Sequence, residues 1–215
     1  MDIDERIKEI MKKMEELSAS KNPEYSCGEF PPKWDKPFKE ERVAKFEEKN
    51  GIKLPPDYRR FITTVASAGT QPFYGLYSLL DNRRGKENPA FDKPFIATVR
   101  KPLLYEEIEQ LDDEECDKIY ENLHCGFVPL CTEGCGMDSI LIVNSEDEET
   151  YGTVWYFDFA NDAGTLPLIN PKNGKTMDFL DWLEYYVDRT LELDDDDFFG
   201  YAEIAGILKD ESNTP

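Results

Sequence analysis

Residues 126–144 read GFVPLCTEGCGMDSILIVN, and residues 152–159 read GTVWYFDF. Three short runs rich in β-branched and aromatic residues stand out here: 126–131, 138–144 and 152–159. Such runs read as strands. EGCGM (133–137) separates the first two and SEDEETY (145–151) the last two, and both separators have hairpin length and composition. The stretch therefore predicts an antiparallel meander. LPLIN (166–170) adds an edge strand before the turn PKNGK. Gly134 and Gly136 are expected where the backbone takes conformations that side chains resist.

The same window holds the only histidine, His124, and three of the five cysteines, Cys125, Cys131 and Cys135. A structural zinc could use the C-x₃-C spacing of Cys131 and Cys135. Against it, His124 and Cys125 are adjacent, a strand separates Cys125 from Cys131, and no second close cysteine pair exists. A Cys–His nucleophile needs a cationic setting that lowers the thiol pKa, whereas Glu133 and Asp138 push it up. The window reads instead as a helix end, a buried strand, a glycine turn and a second strand, with Cys131 and Cys135 as small apolar fillers. No metal and no cofactor are expected. Asp158 and Asp162 bracket a loop where a divalent cation or general base could sit, but turn formation by Asp and Asn explains them as well. There is no phosphate-binding loop, nucleophile elbow or H-E-x-x-H.

Helices surround the meander. Ile3, Ile7, Ile10, Met14 and Leu17 recur at helical spacing over residues 2–18. A connector with four prolines follows to residue 37, pinned to the body by Trp34 and Phe38. KEERVAKFEEKNG (39–51) is a helix with Val43 and Phe46 inward and Gly51 as its stop. Pro55 and Pro56 open the next, whose buried stripe is Tyr58, Phe61, Ile62 and Val65, with Gly69 just past its end. PFYGLYSLL (72–80) and PFIATV (94–99) have strand composition, and residues 105–123 look helical. Nine acids and one base lie between Glu106 and Glu121, a run that reads as a solvated face. Thr176 is placed to cap a helix carrying Phe179, Trp182, Leu183 and Tyr186, and FFGYAEIAGILK (198–209) reads as a short apolar helix docking on the core.

Composition narrows function. With 46 acidic against 25 basic residues, the net charge is −21. That balance argues against direct nucleic-acid binding, which depends on cations that release counterions from phosphate. Thirteen Phe, eleven Tyr and three Trp argue against disorder. No run approaches the roughly 18 apolar residues of a membrane span, so no membrane contact is expected. The N-terminal stretch lacks a secretory core, and an odd cysteine count suits reduced thiols, so a cytoplasmic location is expected.

In order along residues 51–188, GIKLPPDYRRFI, GLYSLL, EGCG with ILIV, GTVWYFDF and FLDWLEYYVD resemble the Smi/Knr-type domain of the SUKH superfamily. The opening E-x-x-x-G-I-x-L-P-x-D-Y-R-x-F is matched by Glu47, Gly51, Ile52, Leu54, Pro55, Asp57, Tyr58, Arg59 and Phe61. Gly75, the Gly134–Gly136 turn, Gly152, Val154 and Trp155, and the Phe179, Trp182 and Leu183 helix match the later pieces. SAGT stands where that family usually has Asn-Gly-Gly. The resemblance implies an α+β fold, a mostly antiparallel sheet of about four to six strands packed by helices. The domain it implies is placed over 39–192, and outside the resemblance lie a helix and Pro-rich connector at 1–38 and an acidic run and docking helix at 193–215.

Many members of that superfamily resemble immunity proteins, non-enzymatic binders of toxins that are often nucleases. Others are regulatory binding modules of cell-wall synthesis or signalling, and an acidic metal-dependent enzyme is the remaining alternative. A nuclease must be basic to hold phosphate, so an acidic inhibitor has the right complement. The expected partner is thus a basic toxin domain, met by a monomer or weak dimer. Candidate contacts are Glu146, Asp147, Glu148 and Glu149 at a hairpin tip, Asp158 and Asp162 in a loop, and Asp194, Asp195, Asp196 and Asp197 in the tail.

Overall fold

A computed structural model describes residues 2–21, 28–80, 90–96, 112, 114–115, 124–158, 164–194 and 197–205. Among the described residues, the helices α1 (Ile3–Ser20), α2 (Glu40–Asn50), α3 (Pro56–Thr64) and α4 (Phe179–Glu192) pack with four strands in an α+β fold. The strands β1 (Phe127–Gly134), β2 (Met137–Ile142), β3 (Val154–Asp158) and β4 (Gly164–Pro167) form an antiparallel sheet in chain order. The meander is therefore present, and β4 starts two residues before LPLIN. Two irregularities in β1 leave Leu130 and Glu133 without a partner opposite, because Pro129 pairs with Ile140 but Cys131 with Ser139, and Thr132 with Asp138 but Gly134 with Met137. The loop that remains is Cys135-Gly136, with φ of 53° and 81°, the two positive values of a type I′ hairpin.

The sheet is buried on both faces. Val128, Leu130, Cys131, Leu141, Val154 and Tyr156 belong to the main core with the helices, whereas Phe127, Ile140, Ile142, Trp155 and Phe157 cluster with Phe95. Tyr58 and Phe61 of α3 pack edge-on against Phe179 of α4, at 5.0 and 5.3 Å. Trp182 is fully buried, and its Nε1–H donates to Ser139 Oγ at 3.1 Å, joining helix to sheet.

α1 buries Ile7, Ile10, Met14 and Leu17 in that same core. Its polar flank is joined to α4 by Arg6 with Asp178 and Asp181 (2.8 and 2.6 Å) and by Lys13 with Glu184 and Asp188 (2.8 and 2.7 Å). Asp2 and Glu5 form a capping box at its start. Trp34 is half-buried against Phe61 and Phe38 is buried, so both anchor the connector.

Several expectations need correction. α4 is capped by Asp178, whose carboxylate accepts from the Asp181 N–H at 2.6 Å, and Thr176 lies upstream in a bridge with Ile169. α3 stops at Thr64, five residues before Gly69, and Val65 is only half-buried. Residues 72–80 form no strand: a turn at Pro72–Gly75 leads into an irregular run whose Tyr74 and Tyr77 N–H groups donate to the Thr132 and Leu130 carbonyls. Those two bonds close the outer edge of β1. Pro94–Ile96 is likewise not a strand, and 97–99 lies outside the described residues. The segment after the acidic tail is not helical up to a 3-10 turn at Tyr201–Ile204, and the rest of the expected helix lies outside the described residues. So does all of 105–123 except Asp112, Glu114 and Glu115. Among the described residues, no helix is long and apolar enough to cross a membrane.

The opening of the family-like motif is held by one buried carboxylate. Glu47, 4% exposed at the end of α2, accepts from the Leu54 N–H (3.0 Å) and from Arg59 Nε (3.2 Å). Glu40 also meets Arg59, at 2.5 Å, but its side chain is 58% exposed. Losing a buried acceptor strands its donors, whereas an exposed ion pair contributes little. Glu47→Ala should therefore cost about 2–4 kcal/mol and Glu40→Ala less than about 1 kcal/mol in urea unfolding. Equal losses in the two variants would refute this division.

Candidate functional site

The acids singled out from sequence do not share one surface. Glu146, Asp147, Glu148 and Glu149 are all exposed in the β2–β3 loop. Asp147 builds that loop: its carboxylate accepts from the Glu149 N–H (3.0 Å) and the Thr150 hydroxyl (2.8 Å). This leaves the three glutamates as the free charges of the tip. Asp158 is not in a loop; it is the last residue of β3, 6% exposed, opposite Met137 at the other end of the sheet. Burial removes it from direct contact with a partner. Asp194 and Asp197 are exposed, while Asp162, Asp195 and Asp196 lie outside the described residues.

The end of the sheet at the β1–β2 hairpin carries a different arrangement. Phe73, Phe199 and Tyr201 form a cluster with ring centroids 5.3–5.9 Å apart, and Phe199 and Tyr201 are buried. Their chain neighbours Tyr74 and Phe198 point outward, at 75% and 76% exposed. Gly134 leaves room for Tyr74, whose ring would lie 3.3 Å from a Cβ there. Tyr74 thus lies against the hairpin tip at Gly134, and Phe198 follows Asp197 in the tail that Glu133 ties to β1 through Tyr201. Sequence reading missed both, although a signal exists: Phe73-Tyr74-Gly75 and Phe198-Phe199-Gly200 are two aromatic doublets ended by glycine. In each doublet one ring enters the core and the other is left out.

Glu133 is the electrostatic centre of this rim. Its Oε1 accepts from the Tyr201 N–H at 3.1 Å, which ties the tail to β1. Burial pushes its pKa up to about 7, with Asp138, Asp158 and Glu203 adding repulsion. Asp57, 7% exposed between the N-termini of α3 and α4, accepts from the Leu180 N–H at 3.3 Å. Burial, with repulsion from Asp178, raises it to about 6. Among the described residues, no set of three or more His, Cys, Asp or Glu side chains is placed to hold a metal ion.

The cysteine–histidine window is structural in its details. Cys125 is buried and its thiol donates to the Pro94 carbonyl at 3.0 Å. Burial raises the Cys125 thiol and, more strongly, that of Cys131. His124 packs edge-on against Phe127 and Phe157, at 5.3 and 5.9 Å. Cys135 is a correction: it is exposed at the hairpin tip rather than filling the core, because a two-residue turn points both members outward.

A carboxyl whose folded pKa is raised binds its proton more tightly in the native state. The resulting penalty is absent below about pH 4, grows as pH rises through the folded pKa, and is complete above it. Glu133→Gln, which keeps an acceptor for Tyr201, should therefore stabilise the protein at pH 8 by about 1–3 kcal/mol relative to its effect at pH 4.5. Urea midpoints of variant and parent across pH 4–8 measure this, and a constant difference would contradict it.

Residues 37–182, more than half of the chain, match the SMI1 / KNR4 family (SUKH-1). Searches of curated proteins and of solved structures returned no match. The matched span starts just before α2 and ends at Trp182, so it takes in the Glu47 anchor, the meander and the first turn of α4. The chain belongs to the SMI1 / KNR4 family.

Proposed function

We propose that this chain is a non-enzymatic protein-binding protein of the immunity type, which neutralises a basic toxin domain, of nuclease character, through acidic surfaces. The observation that carries the reading is the pair of large rings left in water, Tyr74 against the β1–β2 hairpin and Phe198 next to Asp197 in the tail, 75% and 76% exposed. Large rings left in water beside charge are the chemistry of an interface centre, since buried aromatic anchors dominate binding energy. The net charge of −21 supplies long-range attraction to a cationic partner. Family membership supports a partner protein as the ligand.

Two roles divide between two places. The hairpin rim anchors the partner by burying Tyr74 and Phe198. The tip glutamates Glu146, Glu148 and Glu149, at the far end of the sheet, act at a distance and speed encounter.

The test is capture of the partner from the native host on immobilised protein, identification by mass spectrometry, and kinetics with the purified partner. The expected partner is a basic toxin domain whose activity stops on addition of this chain. Tyr74→Ser with Phe198→Ser should raise the dissociation rate by about tenfold or more. Reversal of Glu146, Glu148 and Glu149 to lysine should slow association about three- to tenfold at low salt and leave dissociation unchanged. A captured partner that is acidic, or that the aromatic substitutions do not weaken, would sink the proposal.

A further inference from the structure

One face of α2 runs against the charge of the whole molecule. Arg42, Lys45, Phe46 and Lys49 fall at helical spacing and share a side of the helix. That side lines a groove of about 670 Å³, whose apolar lining includes Phe46, Leu79 and Phe91 and whose far wall among the described residues is 90–92. Phe46 and Phe91 meet edge-on at 5.4 Å. Among the described residues, three bases and one acid, Asp92, line the groove. Lys45 and Lys49 are exposed and form no ion pair among the described residues, while Arg42 lies over the Phe38 ring, 5.2 Å from its centroid.

The far wall is firmly held. The Ala90 N–H donates to the His124 carbonyl and the Gly126 N–H to the Ala90 carbonyl, both at 3.0 Å. Asn144 Nδ2 donates to the Phe91 carbonyl at 2.9 Å. Gly126 permits this approach, because at φ 70° it lies so close under the Phe95 backbone that a Cβ would collide.

We infer that this groove docks a short acidic peptide segment, bearing one aromatic or aliphatic anchor, from a partner protein. A chain of net charge −21 repels acidic partners at long range. In physiological salt, however, charges are screened beyond about 8 Å, so a segment lying in the groove responds to Arg42, Lys45 and Lys49. From Arg42 to Lys49 the helix rises about 10 Å, the length of three or four extended residues. The anchor fills the space over Phe46 and Phe91 while flanking carboxylates meet the lysines. This surface has the opposite charge to the proposed toxin-binding rim and uses none of its residues.

The probe is acetyl-Asp-Asp-Phe-Asp-Asp-amide, titrated into the full-length ¹⁵N-labelled chain and followed by amide shifts. Saturable shifts are expected at residues 42–49 and 90–92. Lys45→Glu with Lys49→Glu should weaken binding about tenfold, as should serine in place of the peptide phenylalanine. Glu146→Lys with Glu148→Lys should leave peptide binding intact, which separates this groove from the toxin-binding proposal. The inference is overturned by shifts absent from α2, or by binding that survives the lysine reversals. It is equally overturned if the chain self-associates and those reversals abolish the association, because a second copy is then the occupant.

Discussion

Trp182 is the side chain on which helix, sheet and tail all depend. Its ring is fully buried, stacks on Tyr201 at 5.6 Å and lies against Phe179 at 5.7 Å. Its indole N–H reaches Ser139 in β2, and its carbonyl accepts from the Tyr201 hydroxyl at 2.8 Å. A buried indole needs a partner for its one donor, and a buried phenol for its own. One residue of α4 therefore fixes the depth of the sheet beneath the helix and the position of the tail beside it. Through Tyr201 the constraint passes to Glu133 and so to the hairpin rim. The surface proposed for binding is in this sense an outer consequence of core packing.

What was legible in the sequence follows from how local each signal is. The α1 stripe, the Gly51 stop with φ 66°, the meander and the Trp182 helix are written in spacing and turn residues. Residues 72–80 misled because aromatic and branched composition records burial as readily as strand pairing. Their backbone pairs with β1 only at Tyr74 and Tyr77, around a turn the composition does not announce. Thr176 and Asp178 both precede α4 within reach of a cap; Asp178 holds the N-cap position next to Phe179 and also pairs with Arg6, 172 residues away. The candidate site was less legible still. Acids are visible in any sequence, whereas the outward turn of Tyr74 and Phe198 depends on which of two neighbouring rings the core has room for.

Charge is partitioned on this molecule, not spread evenly. Carboxylates at the motif opening and helix starts are structural: Glu47 holds the turn after α2, while Asp178 and Asp2 cap α4 and α1. Many bases are used internally, as Arg6, Lys13, Arg59, Arg60 and Arg189 all pair with acids of the chain. The surplus acids are left to loops and tail, and Lys45 and Lys49 of α2, which form no ion pair among the described residues, to one groove. Family-like positions such as Leu54, Pro55, Tyr58 and Phe61 sit in the core or at the α3 start, so they identify the scaffold and leave binding chemistry to the segments between them.

The two unpaired residues of β1 are accommodated one at a time, without a change of register in β2. Leu130 and Glu133 make the strand eight residues long against six in β2, and each extra residue inverts which face the following side chains take. The first inversion lets neighbouring Leu130 and Cys131 both enter the main core. The second cancels it before the tip, so Gly134 and Met137 meet in step and the tight loop closes. Deleting either extra residue would remove its bulge and leave the residues beyond it opposite the same β2 partners, but would take Leu130 out of the main core or break the tie from Glu133 to Tyr201. The added length of this strand therefore serves the core and the tail, while its register with β2 is set by the residues between.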